Sequence, residues 1–295
     1  MVNMEWQNQR LAILGLGLMG GSLGLASKRA WPDLTVAGYA RRAETRDQAL
    51  AGQVVDCVFD TLEDTVRGAD LIVICAPVGN VSDLVVRSLA AGPAEAVITD
   101  VGSSKRSIVE AAESACPEGP VRFVGSHPIA GSEKQGLDAA QVTLYQDACV
   151  VLTPTPRTLA PALKGVRAFW KGLGCRVEEL SPESHDRCLA RTSHLPHLVA
   201  SLLARCVGRD ARQVSGRFCG SGFEDTTRVA GGDPRLWRDI VQSNRTAILD
   251  ELDAFDQDVA RLKQALRNED WDGVLHLLED GQVSRRELME GKRYA

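Results

Sequence analysis

Near the start of the chain stands Leu11-Ala12-Ile13-Leu14-Gly15-Leu16-Gly17-Leu18-Met19-Gly20, followed by Gly21, Ser22 and further helix-forming text. The apolar run Leu11–Leu14 reads as a buried strand, the glycines as a turn, and the residues beyond as a helix. In that setting the first glycine permits the tight turn, the second lets a pyrophosphate approach the backbone, and the third lets helix and strand pack closely. The helix N-terminus then offers amide donors to phosphate oxygens. Glycines alone would mark only a tight turn. Their place at the opening of a β-α-β unit turns the reading toward a dinucleotide, with Gly15, Gly17, Leu18, Met19 and Gly20 as its contacts.

Working outward, short β-branched runs alternate with helical stretches as far as residue 180. The expected strands are Leu11–Leu14, Thr35–Tyr39, Leu71–Cys75, Ala96–Asp100, Arg122–Gly125, Cys149–Thr153 and Arg176–Glu179. Such alternation predicts a mostly parallel, doubly wound α/β sheet of Rossmann type. From Ser181 the text changes, with Ser181 as a helix cap and Pro182 in the first turn. Apolar residues then recur at helical spacing over Leu195–Val207, Leu236–Leu266 and Trp271–Leu278. The expectation is a Rossmann domain over residues 1–180 and an all-helical domain over 181–295.

A dinucleotide site for NAD carries an acid about 20 residues beyond the glycines, where it binds the ribose 2′-hydroxyl. Here that place holds Ala40, followed by Arg41 and Arg42, with Arg46 a helical turn later. The missing acid and the adjacent cations favour NADP, with NAD as the alternative.

The chain has 295 residues, 44% of them hydrophobic and 25% charged, which suits two domains with their own cores. A net charge of −5 offers no basic field for nucleic acid or for an anionic membrane. The longest apolar stretch, Leu11–Ala26, is too short for a membrane span and carries five glycines. No signal peptide is recognisable, since Glu5 falls where positive charge would be needed. The eight cysteines never form a C-x-x-C pair and read as reduced core thiols of a cytoplasmic protein.

Three polar clusters carry the chemistry. Asp100-Val101-Gly102-Ser103-Ser104-Lys105 lies at the carboxyl end of a strand, where open α/β sheets bind ligands, although a helix cap alone would explain Asp100 or Ser103. Gly125-Ser126-His127-Pro128-Ile129-Ala130-Gly131-Ser132-Glu133-Lys134-Gln135-Gly136 reads as a shaped loop leaving another strand. Ser193-His194-Leu195-Pro196-His197 puts two histidines on one helix face, as ligand donors or packing residues. No acid spacing resembles H-E-x-x-H, so no metal site is expected. Gly222-Phe223-Glu224-Asp225-Thr226-Thr227-Arg228 places an arginine where it could clamp a carboxylate, though taken alone Arg228 reads as a surface charge.

At these residues the sequence resembles the prephenate and arogenate dehydrogenases of tyrosine biosynthesis. The resemblance runs through the glycine-rich start, D-V-G-S-S-K, G-S-H-P-I-A-G-S-E-K-Q-G, S-H-L-P-H, G-F-E-D-T-T-R and D-P-R-L-W-R-D-I, in order. It implies a Rossmann domain joined to a helical dimerisation domain, hence a homodimer acting on a small-molecule substrate. It also implies oxidative decarboxylation of a cyclohexadiene: hydride leaves the carbinol carbon for the nicotinamide, carbon dioxide departs, and the ring becomes aromatic. His127 matches the family's catalytic histidine and Ser103 the serine that orients it. Arg228 matches the arginine on a substrate carboxylate, His197 with His194 the substrate-binding segment, and Glu133 a position near the substrate. An imidazole base of ordinary pKa near 6.5 implies a rate that rises with pH through that value.

Two departures stand out: Ala40 replaces the ribose-binding acid, and Glu224 stands where many relatives carry Lys or Arg. A dehydrogenase of an amino-substituted prephenate or of a 3-hydroxy acid shares the cofactor half. A non-catalytic NADP-binding sensor would share the fold, but would be expected to lose His127 or Arg228.

Overall fold

The computed structural model describes residues 6, 9–130, 135–210 and 216–294. The first part of the chain runs β1 (Arg10–Leu14), α1 (Leu18–Ala30), β2 (Thr35–Tyr39), α2 (Ala43–Ala51), β3 (Cys57–Phe59), α3 (Leu62–Val66), β4 (Leu71–Ile74) and α4 (Val78–Ala91). It continues through β5 (Val97–Asp100), α5 (Arg106–Ala115), β6 (Phe123–Ile129), β7 (Cys149–Thr153), α6 (Ala160–Gly172) and β8 (Arg176–Glu179). These strands form one sheet in the order β3-β2-β1-β4-β5-β6-β7-β8. The first six are parallel, β7 is antiparallel to β6, and β8 is parallel to β7. The strand order reverses beside β1, which opens a crevice at the carboxyl ends of the strands.

Both faces of the sheet are covered, and the period of two shows it. Leu11 and Ile13 enter one apolar cluster with Val36, Leu71 and Val73, while Ala12 and Leu14 enter the other with Ile72, Ile74 and Ile98. Buried on both sides, these strands read as unbroken apolar runs. Each fully buried Leu or Ile contributes about 1.5–3 kcal/mol, so the central strands are the rigid platform of the molecule.

Several expectations are corrected. A strand at Cys57–Phe59 was not foreseen, because three half-buried residues at a sheet edge show no periodicity. His127 does not sit in a loop: β6 continues to Ile129, pairing His127 with Val151 and Pro128 with Val150. Pro128 is tolerated because β5 pairs only with Phe123 and Val124, so no second ladder is interrupted. The cysteines are not all core thiols either. Cys175 is buried, Cys188 and Cys206 are exposed on helices, and the other five are half-buried.

The helical part comprises α7 (Pro182–Leu189), a π turn at Ala190–His194, α8 (Leu195–Val207), α9 (Ser221–Thr227) and a 3-10 turn at Arg228–Gly231. It ends with α10 (Pro234–Ser243), α11 (Arg245–Arg267) and α12 (Trp271–Tyr294). The Ser181 hydroxyl caps α7 by accepting from Ser184 N at 3.1 Å, with Pro182 in the first turn. The single helical run expected over Leu236–Leu266 breaks at Asn244, and the last helix continues well past Leu278. Residues to 245 form one compact unit and 246–295 a second. Among the described residues no helix is long and apolar enough to cross a membrane.

Candidate active site

The glycine turn after β1 has the shape of a phosphate cradle. Gly15 takes φ +112°, and a Cβ there would stand 2.7 Å from the carbonyl oxygen of Cys75. A Cβ on Gly20 would stand 1.8 Å from the carbonyl oxygen of Gly15, whereas one on Gly17 would meet nothing within 4 Å. Two glycines are therefore demanded by packing, and the middle one faces open space through which a pyrophosphate can reach the backbone. Gly17 caps α1 without a side-chain hydrogen bond, which leaves the first amides of the helix for a ligand. Tyr145 donates to Met19 O at 2.8 Å and Gln141 N to Ser22 Oγ at 2.9 Å, fixing that helix start from outside. These residues fit a dinucleotide.

Beyond β2, the Arg46 guanidinium donates to the carbonyl oxygens of Ala40 at 2.7 Å and Arg41 at 3.1 Å. Arg46 thus braces the turn. Arg41 and Arg42 are exposed and without an ion-pair partner among the described residues.

A second set of groups gathers around the carboxyl ends of β5 and β6. The Asp100 carboxylate receives Gly102 N at 2.8 Å and Ser126 N at 3.1 Å, and is ion-paired with the Lys105 ammonium. Lys105 also donates to Ser126 O at 2.9 Å, and both members of the pair are fully buried. Burial pushes the Asp100 carboxyl up and the Lys105 ammonium down, each opposed by the other's charge. The Ser126 hydroxyl accepts from Thr99 at 2.9 Å and from the Trp170 indole at 3.1 Å, and donates to Asp100 O. These bonds hold β6 against β5 beyond the end of their ladder, immediately before His127.

His127 Nδ1 lies 2.9 Å from His185 Nε2, and His185 Nδ1 lies 2.8 Å from Asp186 Oδ1. Asp186 also accepts from Lys105 N at 2.7 Å and Arg106 N at 3.0 Å, the main-chain donors that open α5. Burial, and then the neighbouring His185, Lys105 and His194, hold the His127 pKa well below the usual imidazole range. Ser103 stands half-exposed in the turn before α5 and makes no hydrogen bond to His127 among the described residues.

His194, at the end of the π turn, is buried, and desolvation lowers its pKa to about 4. Asn244 Nδ2 donates to Asp186 O at 2.7 Å and stands 3.2 Å from His194 Nδ1. A carbonyl oxygen can only accept, so the amide is oriented, and its second hydrogen points at His194 Nδ1. The helix break at Asn244 supplies this contact. His197 stacks on Trp237 with centroids 3.5 Å apart and planes 10° apart, and its buried Nδ1 has no hydrogen-bond partner among the described residues. A Cβ on Gly232 would meet the Trp237 Nε1 at 2.7 Å and the His197 Cε1 at 3.3 Å. Only a glycine therefore fits behind this stack, just after the 3-10 turn that begins with the exposed Arg228. Glu133 lies outside the described residues.

The structure thus joins His127, His194 and their neighbours into one buried polar network. Sequence reading missed His185, Asp186, Asn244 and Trp237, and did not single out Lys105. The paired His-Asp on a capped helix was the available signal; Asn244 sits in the polar stretch Gln242-Ser243-Asn244-Arg245-Thr246 and gave none.

Comparison with known proteins gives a consistent result. Residues 23–179 match the nucleotide-binding domain of prephenate dehydrogenase, and residues 181–280 match its dimerization domain. The chain is 38% identical over 283 residues to the cyclohexadienyl dehydrogenase of Zymomonas mobilis, covering 95% of this chain and 96% of that protein. Among solved structures it is similar to the prephenate dehydrogenase of A. aeolicus in complex with hydroxyphenyl propionate and NAD+. That similarity has a TM-score of 0.87 and 31% identity, over 95% of this chain and 98% of the other. The arogenate dehydrogenase of Synechocystis superposes with a TM-score of 0.81 and 30% identity, over 95% and 99% of the two chains.

Proposed function

The chain belongs to the prephenate dehydrogenase family, and from that premise we propose how its own residues carry out the family's reaction. It is an oxidoreductase that uses a nicotinamide dinucleotide for the oxidative decarboxylation of prephenate, arogenate or both. The nicotinamide, when bound, accepts the hydride from the ring carbinol. The protein must hold the ring and take the hydroxyl proton. His127 is the base, and the observation that carries this is a ring kept neutral by burial at the carboxyl end of β6 and tied through Nδ1 to His185. Ser103 orients the reacting hydroxyl, and His194, His197, Glu133 and Arg228 bind the substrate. The domains are residues 1–180 for the dinucleotide and 181–295 for substrate and dimerisation.

The experiment that tests this is turnover of each substrate with each cofactor. Activity with at least one of prephenate and arogenate is expected. A folded, cofactor-binding preparation that turned over neither would point to a related amino-substituted prephenate.

We assign a preference for NADP, because Ala40 offers no side-chain acceptor to a 2′-hydroxyl while Arg41 and Arg42 are exposed beside it. The expected result is a higher kcat/KM with NADP+, and a selective loss with NADP+ in Arg41→Ala. A clear NAD+ preference in the unaltered enzyme would refute the assignment.

Arg228 is given a binding role. In Arg228→Ala, KM should rise far more than kcat falls, since loss of a charge-assisted carboxylate contact costs about 2–4 kcal/mol, roughly 30-fold or more in KM. An unchanged KM would make Arg228 a surface charge only.

The protein is assigned as a homodimer. Leu262, Leu266, Trp271, Leu275 and Leu278 are exposed along α11 and α12, with Trp271 62% exposed, a surface suited to a second copy. The cytoplasm is its proposed place, since the exposed thiols of Cys188 and Cys206 suit a reducing compartment.

A further inference from the structure

A carboxylate at the start of α5 dictates, two residues removed, which nitrogen of His127 is basic. Asp186 is almost wholly buried, and its oxygens accept Lys105 N at 2.7 Å and Arg106 N at 3.0 Å. Main-chain amides at a helix N-terminus favour a charged carboxylate, which can only accept. His185 must therefore carry its proton on Nδ1 and donate it to Asp186 across 2.8 Å. Its Nε2 is then a bare lone pair. The 2.9 Å contact between His185 Nε2 and His127 Nδ1 requires that His127 be the donor. His127 consequently keeps its lone pair on Nε2, opposite to the proton position that a free histidine side chain favours.

We propose that His185, backed by Asp186, is a positioning residue for the reaction: it fixes the His127 tautomer so that Nε2 is the base. This rests on His127 being the proton acceptor of the proposed function. In the step itself the substrate O–H bond breaks and an N–H bond forms at His127 Nε2, while the hydride and its electron pair leave for the nicotinamide. The His127 Nδ1 proton stays in its hydrogen bond to His185, and the new positive charge is stabilised through His185 by Asp186. Asp186 takes no proton. The charge is opposed by burial, from the turn before α5 by Lys105 and from the π turn by His194. Burial also holds the His185 pKa below its ordinary value, with Lys105 acting the same way and Asp186 on α7 and Asp100 on β5 acting against it, so its Nε2 stays unprotonated. His185 is fully buried and, among the described residues, makes no hydrogen bond to His194 or His197.

The test has two arms. The first is nitrogen-15 NMR of the imidazole rings in the unaltered protein, which reads the tautomer without turnover. A His127 protonated on Nδ1 is expected, and a His127 protonated on Nε2 would overturn the proposal. The second compares His185→Leu with His185→Gln, whose amide oxygen can accept from His127 while its NH2 group donates to Asp186. His185→Leu should lower kcat roughly 10²-fold with KM little changed. His185→Gln should recover most of that loss and keep the Nδ1–H signal of His127. Equal activity of the two variants, both folded by circular dichroism, would overturn the relay. Failure of the His127 assignment is separate: it would appear as near-normal kcat in His127→Asn alongside an intact Nδ1–H signal in the unaltered protein.

Discussion

Replacing His127 with Asn lowers kcat by about 10²- to 10⁴-fold, the contribution of a positioned base to proton transfer. Asn is close in shape at the strand position and can still meet His185, so β6 and its register with Val151 should survive. Cofactor affinity should stay nearly intact, because the glycine turn belongs to β1 and α1, and β4 and β5 stand between β1 and β6 in the sheet. The pH dependence carries further information. Only the neutral ring can accept a proton, so the rate falls as pH drops through the folded-state pKa of His127. Burial, with His185, Lys105 and His194 nearby, holds that pKa well below 6.5. The acid limb therefore lies on the acid side of the ordinary histidine value, and kcat is flat through neutrality. Kinetics from mildly acid to mildly alkaline pH check both parts. An Asn variant with near-normal kcat and the same acid limb would remove His127 from the chemistry.

That displaced limb also shows where sequence reading stops. The glycine turn was legible because each glycine answers a local demand, for a positive φ, an open approach or a close packing contact, and all three lie within six residues. The central strands were legible because burial on both faces leaves uninterrupted apolar runs. His127 was legible as a residue, through motif and resemblance, but not as a strand residue, since a following proline argues against a strand unless one edge is unpaired. Its electrostatics were invisible for a different reason. His185 and Asp186 reach His127 and Lys105 from 58 and 81 residues away along the chain, and Asn244 reaches Asp186 from 58. No periodicity records a contact between elements so far apart in sequence. The break at Asn244 has the same origin: local propensity favours one long helix, and two buried hydrogen bonds override it.

Lys105 carries the largest expected effect on stability. Its ammonium and the Asp100 carboxylate are both fully buried, and Lys105 further donates to Ser126 O at 2.9 Å, on the residue before His127. Lys105→Met preserves most of the side-chain volume but leaves a carboxylate in the interior without its counter-charge. Removing one partner of such a pair costs about 3–5 kcal/mol. At roughly 2–4 °C per kcal/mol for a protein of this size, Tm should fall by about 10 °C. The amides of Gly102 and Ser126 still reach Asp100 and soften the loss without replacing the charge. The double variant Asp100→Asn with Lys105→Met removes both charges and should recover a large part of the stability, which a double-mutant cycle measures directly. The pH dependence of the single variant follows from the same source. With Lys105 gone, burial, the largest influence on Asp100, is opposed only by the Gly102 and Ser126 amides and raises its folded-state pKa above the unfolded value. The folded state then binds the extra proton, so the variant is relatively more stable at low pH and loses that stability as pH rises through the folded-state pKa. Thermal unfolding at several pH values checks the sign. A loss below about 1 kcal/mol, or one that shrinks as pH rises, would mean that Asp100 is neutral in the unaltered protein and that the pair is not ionic.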